Sequence, residues 1–264
     1  MSGRQPVLFL SHGSPLVLVE PSPHRTFLQE LGRQLPRPDI ILSVTAHWTT
    51  PEVRVSTAAH PATLHDFSGF PPALRQARYA APGHPPMALR IAALLRTAGL
   101  TVEPEDRAVI DHGTWIPLAL MWPDGDIPVV ELSVQPGRDA FHHMAVGRAL
   151  APLRDQGVMI IGSGGVTHNL RDYSAMPPDM PFGYADLFAD WVGAAVAAGD
   201  MAAMSDWGKA PFADRSHPTD EHFLPLPVTM AAGGGRGRRL FAEGDGPVLR
   251  LDSFIWDDLA ACPG

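Results

Sequence analysis

Short apolar runs alternate with segments of helical periodicity along most of the chain. The apolar runs predict buried strands over residues 7–10, 40–44, 129–134 and 158–162. Between them, helices are predicted over residues 26–35, 86–98, 140–154 and 185–198; within 140–154, Met144, Val146, Leu150 and Leu153 recur at near-helical spacing. This alternating order favours an α/β fold, which we expect to have a central mixed sheet flanked by helices.

The chain shows no internal repeat and no low-complexity linker. Its 264 residues, 45% of them hydrophobic, can bury a full core, so we predict a single domain over residues 1–264. The stretches 67–86 and 174–183 are rich in Pro and Gly and flank histidine or aromatic segments. They predict long loops over a site rather than domain boundaries.

Composition and charge exclude several classes of partner. The net charge is -8, and the short run Arg236–Arg239 is the sole basic cluster, so a nucleic-acid partner is not expected. The single cysteine, Cys262, rules out an intrachain disulfide and a thiolate ligand set. The apolar start at residues 6–10 is too short for a signal segment or a membrane span, so we expect a cytoplasmic protein without membrane attachment.

Four histidines follow apolar runs: His12, His47, His112 and His168. Imidazole is the commonest protein ligand for a catalytic transition metal, and α/β proteins bind ligands at the carboxyl ends of their strands. The pattern therefore predicts a metal site at strand ends. His222, in HPTDEHFLPL, is a fifth candidate.

The neighbours of these histidines leave alternatives open. GSGGVTHNL, which contains His168, lacks the lysine of a phosphate-binding loop, so its glycines are better explained by letting the imidazole project into a crowded pocket. Asp111 could orient the imidazole of His112 or a neighbouring one. Either Glu221 or His222 could supply a ligand, but adjacent side chains point in different directions, so we expect only one to face the metal.

Several motifs together carry a resemblance to a known family. In chain order they are FLSHGSP, TAHW, HDFSGFP, YAAPGHP, DHGTWIPL, GSGGVTHNL and HPTDEHFLPL. They resemble the class III extradiol ring-cleaving dioxygenases of the DOPA-dioxygenase type, over Leu8 to about Pro227.

The resemblance implies a catalytic domain with a mononuclear non-haem metal, Fe(II) when active. Such an enzyme binds a catechol, here DOPA-like, and O2, inserts both oxygen atoms and opens the ring to a semialdehyde acid. By resemblance the metal ligands fall on His12, His47 and His222. His168 falls on the catalytic base, which in zinc-loaded relatives is an additional ligand, and His112 is expected to donate a hydrogen bond to bound oxygen or substrate.

The ligand set differs from the commoner pattern of non-haem iron sites. Many such Fe(II) enzymes use two histidines and one carboxylate, and Glu221 could supply that carboxylate. The resemblance places histidine in this role, so we assign His222 as the ligand. Affinity alone favours Zn(II) over Fe(II), so purified protein can carry zinc.

Substrate contacts are expected from the loops. His65 and Asp66 are candidates, although an exposed turn in which Asp66 caps a helix explains them equally well. His217 is predicted at the pocket rim, stiffened by Pro218. Partners for a substrate carboxylate could be Arg75, Arg78 or Arg171. Of the remaining histidines, at least one of the adjacent His142 and His143 is expected to be solvated, and no role is predicted for His24, His60 and His84.

Two other functions compete with ring cleavage. A zinc hydrolase could use His12, His47 and His222 to hold a metal-bound hydroxide, with His168 or Glu221 as base. A non-catalytic binding protein with a repurposed metal site is the third hypothesis.

Overall fold

This computed structural model contains the four strands that the apolar runs predicted. It describes residues 3–175, 183–246 and 248–257. The strands are β1 (Val7–Ser11), β2 (Ile40–Thr49), β3 (Val53–Ser56), β4 (Ala62–Thr63), β5 (Val102–Glu105), β6 (Val109–Ile110), β7 (Val129–Val134), β8 (Val158–Gly164), β9 (Arg238–Phe241), β10 (Gly244–Asp245), β11 (Leu249–Arg250) and β12 (Ser253–Trp256).

The helices fill most of the intervals between these strands. They are α1 (Pro23–Gln34), α2 (Pro72–Gln76), α3 (Pro85–Thr97), α4 (His112–Met121), α5 (Ala140–Leu150), α6 (Leu170–Ala175), α7 (Gly183–Ala198), α8 (Met201–Ser205), α9 (Ala213–Ser216) and α10 (Pro225–Gly233). Short 3-10 turns lie at Pro15–Leu18, Ala151–Gln156 and Trp207–Lys209. No helix in the described part of the chain is long and apolar enough to cross a membrane.

Eight strands form one mixed sheet in the order β5-β3-β7-β2-β8-β1-β12-β9. The central strands β7, β2, β8 and β1 run parallel to one another, whereas β3 pairs antiparallel with β7, and β12 antiparallel with β1 and β9. Because their carboxyl ends meet at one edge, side chains that follow these parallel strands are brought together.

The sheet separates two apolar cores. Along β1 the side chains of Val7 and Phe9 enter one core, and those of Leu8 and Leu10 enter the other, as the two-residue period of a strand requires. Helices α5 and α10 cover the first face, and α1 and α4 the second. The predicted α/β fold with a central mixed sheet flanked by helices is confirmed.

Element boundaries differ from the sequence prediction at several points. Strand β2 continues to Thr49, so His47 lies within the strand rather than beyond it. The helix predicted over 140–154 ends at Leu150 and continues as a 3-10 turn. The loop predicted over 67–86 contains the short helix α2, and most of the loop predicted over 174–183 lies outside the described residues.

Three histidines without a predicted role have structural ones. His24 lies in the first turn of α1 and is buried, and Nδ1 of His84 accepts a hydrogen bond from the backbone N–H of Met87 at the start of α3. His143 is also buried: its Nε2 accepts from the N–H of Gln135 and its Nδ1–H donates to the carbonyl of Asp139. These two bonds replace water for both ring nitrogens, so His143 is a core residue.

Candidate metal centre and active site

Three imidazoles meet at the carboxyl edge of the sheet. His12 directly follows β1, His47 lies in β2, and His222 precedes α10. The ring centroids are 4.9 Å apart for His12 and His47, 5.3 Å for His12 and His222, and 5.0 Å for His47 and His222. Strand β8 lies between β1 and β2 and pairs with both, which sets the spacing of the first two rings.

Two glycines make room for this arrangement. A Cβ on Gly164 would lie 2.1 Å from the carbonyl oxygen of His222, and one on Gly113 would lie 2.8 Å from the ring of His47. The backbone N–H of Gly165 donates to the same His222 carbonyl at 2.9 Å. The glycines of GSGG and DHG therefore allow close packing around the imidazoles rather than phosphate binding.

The hydrogen bonds of His12 fix its tautomer. The hydroxyl of Ser163 donates its single proton to the carbonyl of Gly113, so it accepts from Nδ1–H of His12 at 3.0 Å. This leaves a lone pair on Nε2 of His12, 3.1 Å from Nε2 of His47. Two nitrogens that bind one ion at about 2.1 Å each, at about a right angle, lie at such a spacing.

His222 presents a third lone pair. Its Nδ1–H donates to Oε1 of Glu221 at 2.8 Å. Its Nε2 is buried and has no hydrogen-bond partner among the described residues. Ligand atoms of His12, His47 and His222 all lie within 4.8 Å of one another. A buried polar atom without a partner is costly unless something binds it, so this donor set fits a divalent transition metal.

Two further groups have the same spacing: His47, Asp66 and His112, and His168, Glu221 and His222. In each of them the carboxylate already accepts a hydrogen bond from a histidine ring: Asp66 from His112 and Glu221 from His222. Carboxylates in this position orient the imidazoles that contact a metal or substrate.

The three imidazoles are held in their neutral form. Burial, together with the neighbouring histidines, lowers the pKa of His12 and of His222 well below the usual value. Burial and the nearby His112 ring lower the pKa of His47 to about 3. Neutral imidazole is the form that binds metal, so the site is prepared for an ion near neutral pH.

Asp66 holds His112. Its Oδ1 accepts from Nδ1–H of His112 at 2.7 Å and from the backbone N–H of the same residue at 3.2 Å, and Oδ2 lies 3.7 Å from Nδ1 of His47. Burial raises the pKa of Asp66, but the hydrogen bond from His112 and the charges of His112 and His47 outweigh it and lower the pKa. Asp66 is therefore placed as an ionised partner of two site histidines.

Asp111 does not orient His112, contrary to one of the sequence hypotheses. Its buried carboxylate accepts from Oγ1–H of Thr45 at 2.8 Å and from Arg107 at 3.3 Å, and it caps helix α4 through Thr114. Arg107 also pairs with the buried Glu131. These contacts join β2 to the start of α4, and so position the segments that carry His47 and His112.

His168 lies against the metal-binding group. Its ring stacks on that of His222, with centroids 3.4 Å apart and an interplanar angle of 9°. Its Nδ1 is 4.0 Å from Oε1 of Glu221. Burial lowers the pKa of His168, and the charge of Glu221 opposes this in part. The ring is thus a neutral base at neutral pH.

A cavity of about 310 Å³ opens over these rings. His12, His47, His112, His168 and His222 all line it, together with six apolar side chains: Pro15, Phe67, Phe70, Leu170, Leu249 and Leu251. Its size and its mixture of imidazole and apolar wall suit one aromatic ring of a small molecule.

Three residues predicted as substrate contacts do not line the cavity. His217 is buried; its Nε2–H donates to the carbonyl of Val166 at 2.7 Å, and its ring packs against Phe188, Trp207 and Phe223. The ring of His65 donates to the carbonyl of Ala77 at 3.0 Å. Asp66 reaches the site through His112. The placement at the pocket rim was wrong for His217 because packing against these aromatic side chains draws its ring into the core.

Comparisons with known proteins identify the family of this chain. Residues 6–246 match a family model described as the catalytic LigB subunit of aromatic ring-opening dioxygenase. The chain belongs to the LigB family. It is 38% identical over 255 residues to the 4,5-DOPA dioxygenase extradiol of Beta vulgaris. The aligned region covers 93% of this chain and 94% of the relative.

A bacterial relative and a solved bacterial structure extend the comparison. The 4,5-DOPA dioxygenase extradiol of Escherichia coli K12 is 39% identical over 238 residues, with 89% of this chain and 88% of the relative covered. The crystal structure of an uncharacterized protein from Escherichia coli K12 superimposes with a TM-score of 0.83 at 33% identity, covering 96% of this chain and 100% of that chain. This LigB-family chain is a class III extradiol ring-opening dioxygenase, and the hydrolase and binding-protein hypotheses lose their support.

Proposed function

We propose that this chain cleaves a catechol with Fe(II) held by His12, His47 and His222. The observation that carries the proposal is the buried Nε2 of His222, which has no partner among the described residues and shares a 4.8 Å cluster with ligand atoms of His12 and His47. When bound, the metal would supply Lewis acidity and bring the catechol and O2 together.

The overall reaction balances without an external reductant. One ring C–C bond beside the two oxygenated carbons breaks, together with the O–O bond, and both oxygen atoms enter the product. The product is a ring-opened semialdehyde acid, and the four electrons that reduce O2 come from the catechol itself.

We infer that His168 acts as the general base. Its neutral imidazole lines the cavity beside His222, where it can accept the proton of a catechol hydroxyl. Nδ1 of His168 lies 4.0 Å from Oε1 of Glu221, so the negative charge of this carboxylate would offset the positive charge of a protonated His168 ring. In this proposal His168 deprotonates the substrate, and Glu221 stabilises the protonated ring.

We infer that His112 donates a hydrogen bond to oxygen in the site. Its Nδ1–H is held by Asp66, so the opposite ring edge faces the histidine group, with its centroid 4.1 Å from that of His47. A proton on Nε2 of His112 could be donated to oxygen or substrate in the site, while the ionised Asp66, which accepts from Nδ1–H, would offset the positive charge of the doubly protonated ring.

The identity of the metal and of its third ligand belongs to this proposal. Three neutral imidazoles bind Zn(II) as well as Fe(II), so the bound metal depends on supply. We keep His222 as the third ligand, because Glu221 accepts its Nδ1–H and has a hydrogen-bonding role already. The partners are then a small catechol and O2, and a cytoplasmic location stays a prediction.

Oxygen uptake by Fe(II)-reconstituted protein tests the proposal. The protein is loaded anaerobically, mixed with a panel of catechols, and followed with an oxygen electrode and by the visible band of a semialdehyde product. We expect uptake with the wild type and with His60→Gln, which alters an exposed histidine outside the cavity, and none with His12→Ala. Absence of uptake on every catechol by protein that holds stoichiometric iron would refute the proposal.

A further inference from the structure

Beyond the five histidines, the wall of the cavity is mostly apolar. Its apolar side chains are Pro15, Phe67, Phe70, Leu170, Leu249 and Leu251, and its polar ones are Ser14, Thr167, Tyr173 and Arg250. A catechol whose hydroxyls lie among the histidines must place its ring substituent against this wall. The nature of the substituent therefore depends on which charged groups accompany these side chains.

One cationic side chain, Arg250, belongs to a residue that lines the described cavity, and its charge is already neutralised. Its Nη1 donates to Asp186 at 2.5 Å, its Nε to Asp252 at 3.2 Å, and its Nη2 to the carbonyl of Ala242 at 3.2 Å. All three nitrogens of the guanidinium therefore have partners, and two carboxylates offset the single positive charge. An additional carboxylate would compete with two that the fold already provides.

The arginines expected to bind a substrate carboxylate lie elsewhere. Arg75 donates to the carbonyl of Phe70, Arg78 donates to the carbonyls of Arg75 and Ala77, and neither residue lines the cavity. Arg171 does not line it either. The residues outside the described ranges are 1–2, 176–182, 247 and 258–264, and the sequence has no Lys or Arg at any of them.

Beyond Tyr173 the surroundings are acidic. A second cavity of about 330 Å³ adjoins the first and shares Ser14, Tyr173 and Leu251 with it. Its wall carries three carboxyl groups, those of Glu20, Glu243 and Asp245. The hydroxyl of Tyr173 donates to Asp245 at 3.4 Å, so it is directed to this acidic side. A long anionic substituent would meet like charges there.

We propose that the preferred substrate is a catechol whose ring substituent is apolar and carries no carboxylate. This inference rests on the proposed function and narrows its substrate class. A carboxylate moved from water to an apolar wall without a counter-charge loses hydration that nothing replaces. An apolar group of the same length gains from burial against Phe67, Phe70 and Leu170.

A matched acid and ester test the inference directly. Dihydrocaffeate and its methyl ester differ by one negative charge at nearly constant shape, and propylcatechol provides an apolar reference. We expect kcat/KM for the ester and for propylcatechol to exceed that for the acid by roughly tenfold or more, mainly through KM. Values for acid and ester within about twofold of each other, or a preference for the acid or for L-DOPA, would overturn it.

A gain of charge at the wall provides the complementary test. Leu170 is half exposed at the start of α6, so it can be exchanged with little risk to the core. Leu170→Arg should raise kcat/KM for the acid relative to the ester by roughly tenfold, and Leu170→Gln, of similar size but uncharged, should not. An equal ratio in both variants would contradict the inference.

The two proposals fail in different ways. If no catechol supports oxygen uptake, the proposed ring cleavage is wrong. If uptake occurs but the negative charge makes no difference, ring cleavage stands and only the substrate class is wrong.

Discussion

Oδ1 of Asp66 accepts both the ring Nδ1–H and the backbone N–H of His112, at 2.7 and 3.2 Å. One carboxylate oxygen therefore fixes the position of the backbone and the rotation of the ring at the start of α4. The other oxygen faces His47 at 3.7 Å, so the same side chain connects a proposed metal ligand to a proposed hydrogen-bond donor.

Asp66→Asn should lower kcat by roughly 10- to 100-fold while the metal is retained, because an amide orients the imidazole of His112 less well and removes the negative charge beside it. Steady-state oxygen uptake and metal content measured on the same samples check this. Asp124→Asn, at an exposed position outside the cavity, serves as the control and should resemble the wild type. Full activity of Asp66→Asn would remove the positioning role.

Variants of His222 and Glu221 distinguish the proposed ligand, His222, from the residue that orients it, Glu221. His222→Ala should abolish tight metal binding, because it removes one of three neutral nitrogens. Glu221→Gln should weaken metal affinity by only about 10- to 100-fold, since the amide oxygen can still accept from Nδ1–H of His222. Titration with a competing chelator, with mass-spectrometric metal analysis, distinguishes the two. Normal iron binding by His222→Ala with none by Glu221→Gln would reverse the ligand assignment.

Gly164→Ala should displace the backbone of His222. The new Cβ would lie 2.1 Å from the carbonyl oxygen of His222, so the backbone that carries this imidazole must move. We expect a loss of about 1–3 kcal/mol in the free energy of unfolding, together with weaker metal binding. Gly208→Ala is the matched control, because no atom lies within 4 Å of its added Cβ. Urea denaturation with and without metal measures both effects, and equal behaviour of the two variants would contradict the steric argument.

Acid should destabilise the fold through buried neutral histidines. Burial lowers the pKa of His143 to about 4, whereas an unfolded chain has a value near 6.5. Between these values the unfolded state binds a proton that the folded state does not, so stability is full above about pH 6.5 and falls as the pH drops towards 4. The contribution of His143 is about 3 kcal/mol.

The pH dependence can be assigned to His143 with a variant. His143→Gln should flatten the slope of unfolding free energy against pH by up to about 1.4 kcal/mol per pH unit over this window. His142→Gln, at the neighbouring and less buried position, should flatten it less. Urea titrations at intervals from pH 4 to pH 7 measure the slope, and an unchanged slope in His143→Gln would show that this ring titrates normally in the folded protein.

The sequence predicted the parts of the molecule that depend on local pattern. Continuous apolar runs are typical of strands buried on both faces, so β1, β2, β7 and β8 were found, and the histidines that follow or end them were expected to meet. Long-range partners carry no such signal. Asp66 lies 46 positions from His112, and periodicity does not indicate which of Asp66 and Asp111 holds that ring.

The burial of His217 was missed for a similar reason. HPTDE reads as a polar turn, but the ring of His217 packs between Trp207 and Phe188, which come from other elements. Tertiary packing outweighed local polarity. The arginines show the same limit, since a sequence gives the number of positive charges but not the carboxylates that neutralise Arg250.

Strand β8 pairs with β1 on one side and with β2 on the other, with Gly164 opposite Ser11 and Ser163 opposite Thr45. The pairing of β8 with both strands thus sets the positions of His12 and His47 along the sheet. A single residue inserted near the end of β8 would shift the residues that follow it by about 3.3 Å relative to β1 and β2. It would also turn their side chains to the opposite face of the sheet. A change in the length of β8 should therefore separate the ligands from one another, whereas loops that leave these pairings intact can vary in length.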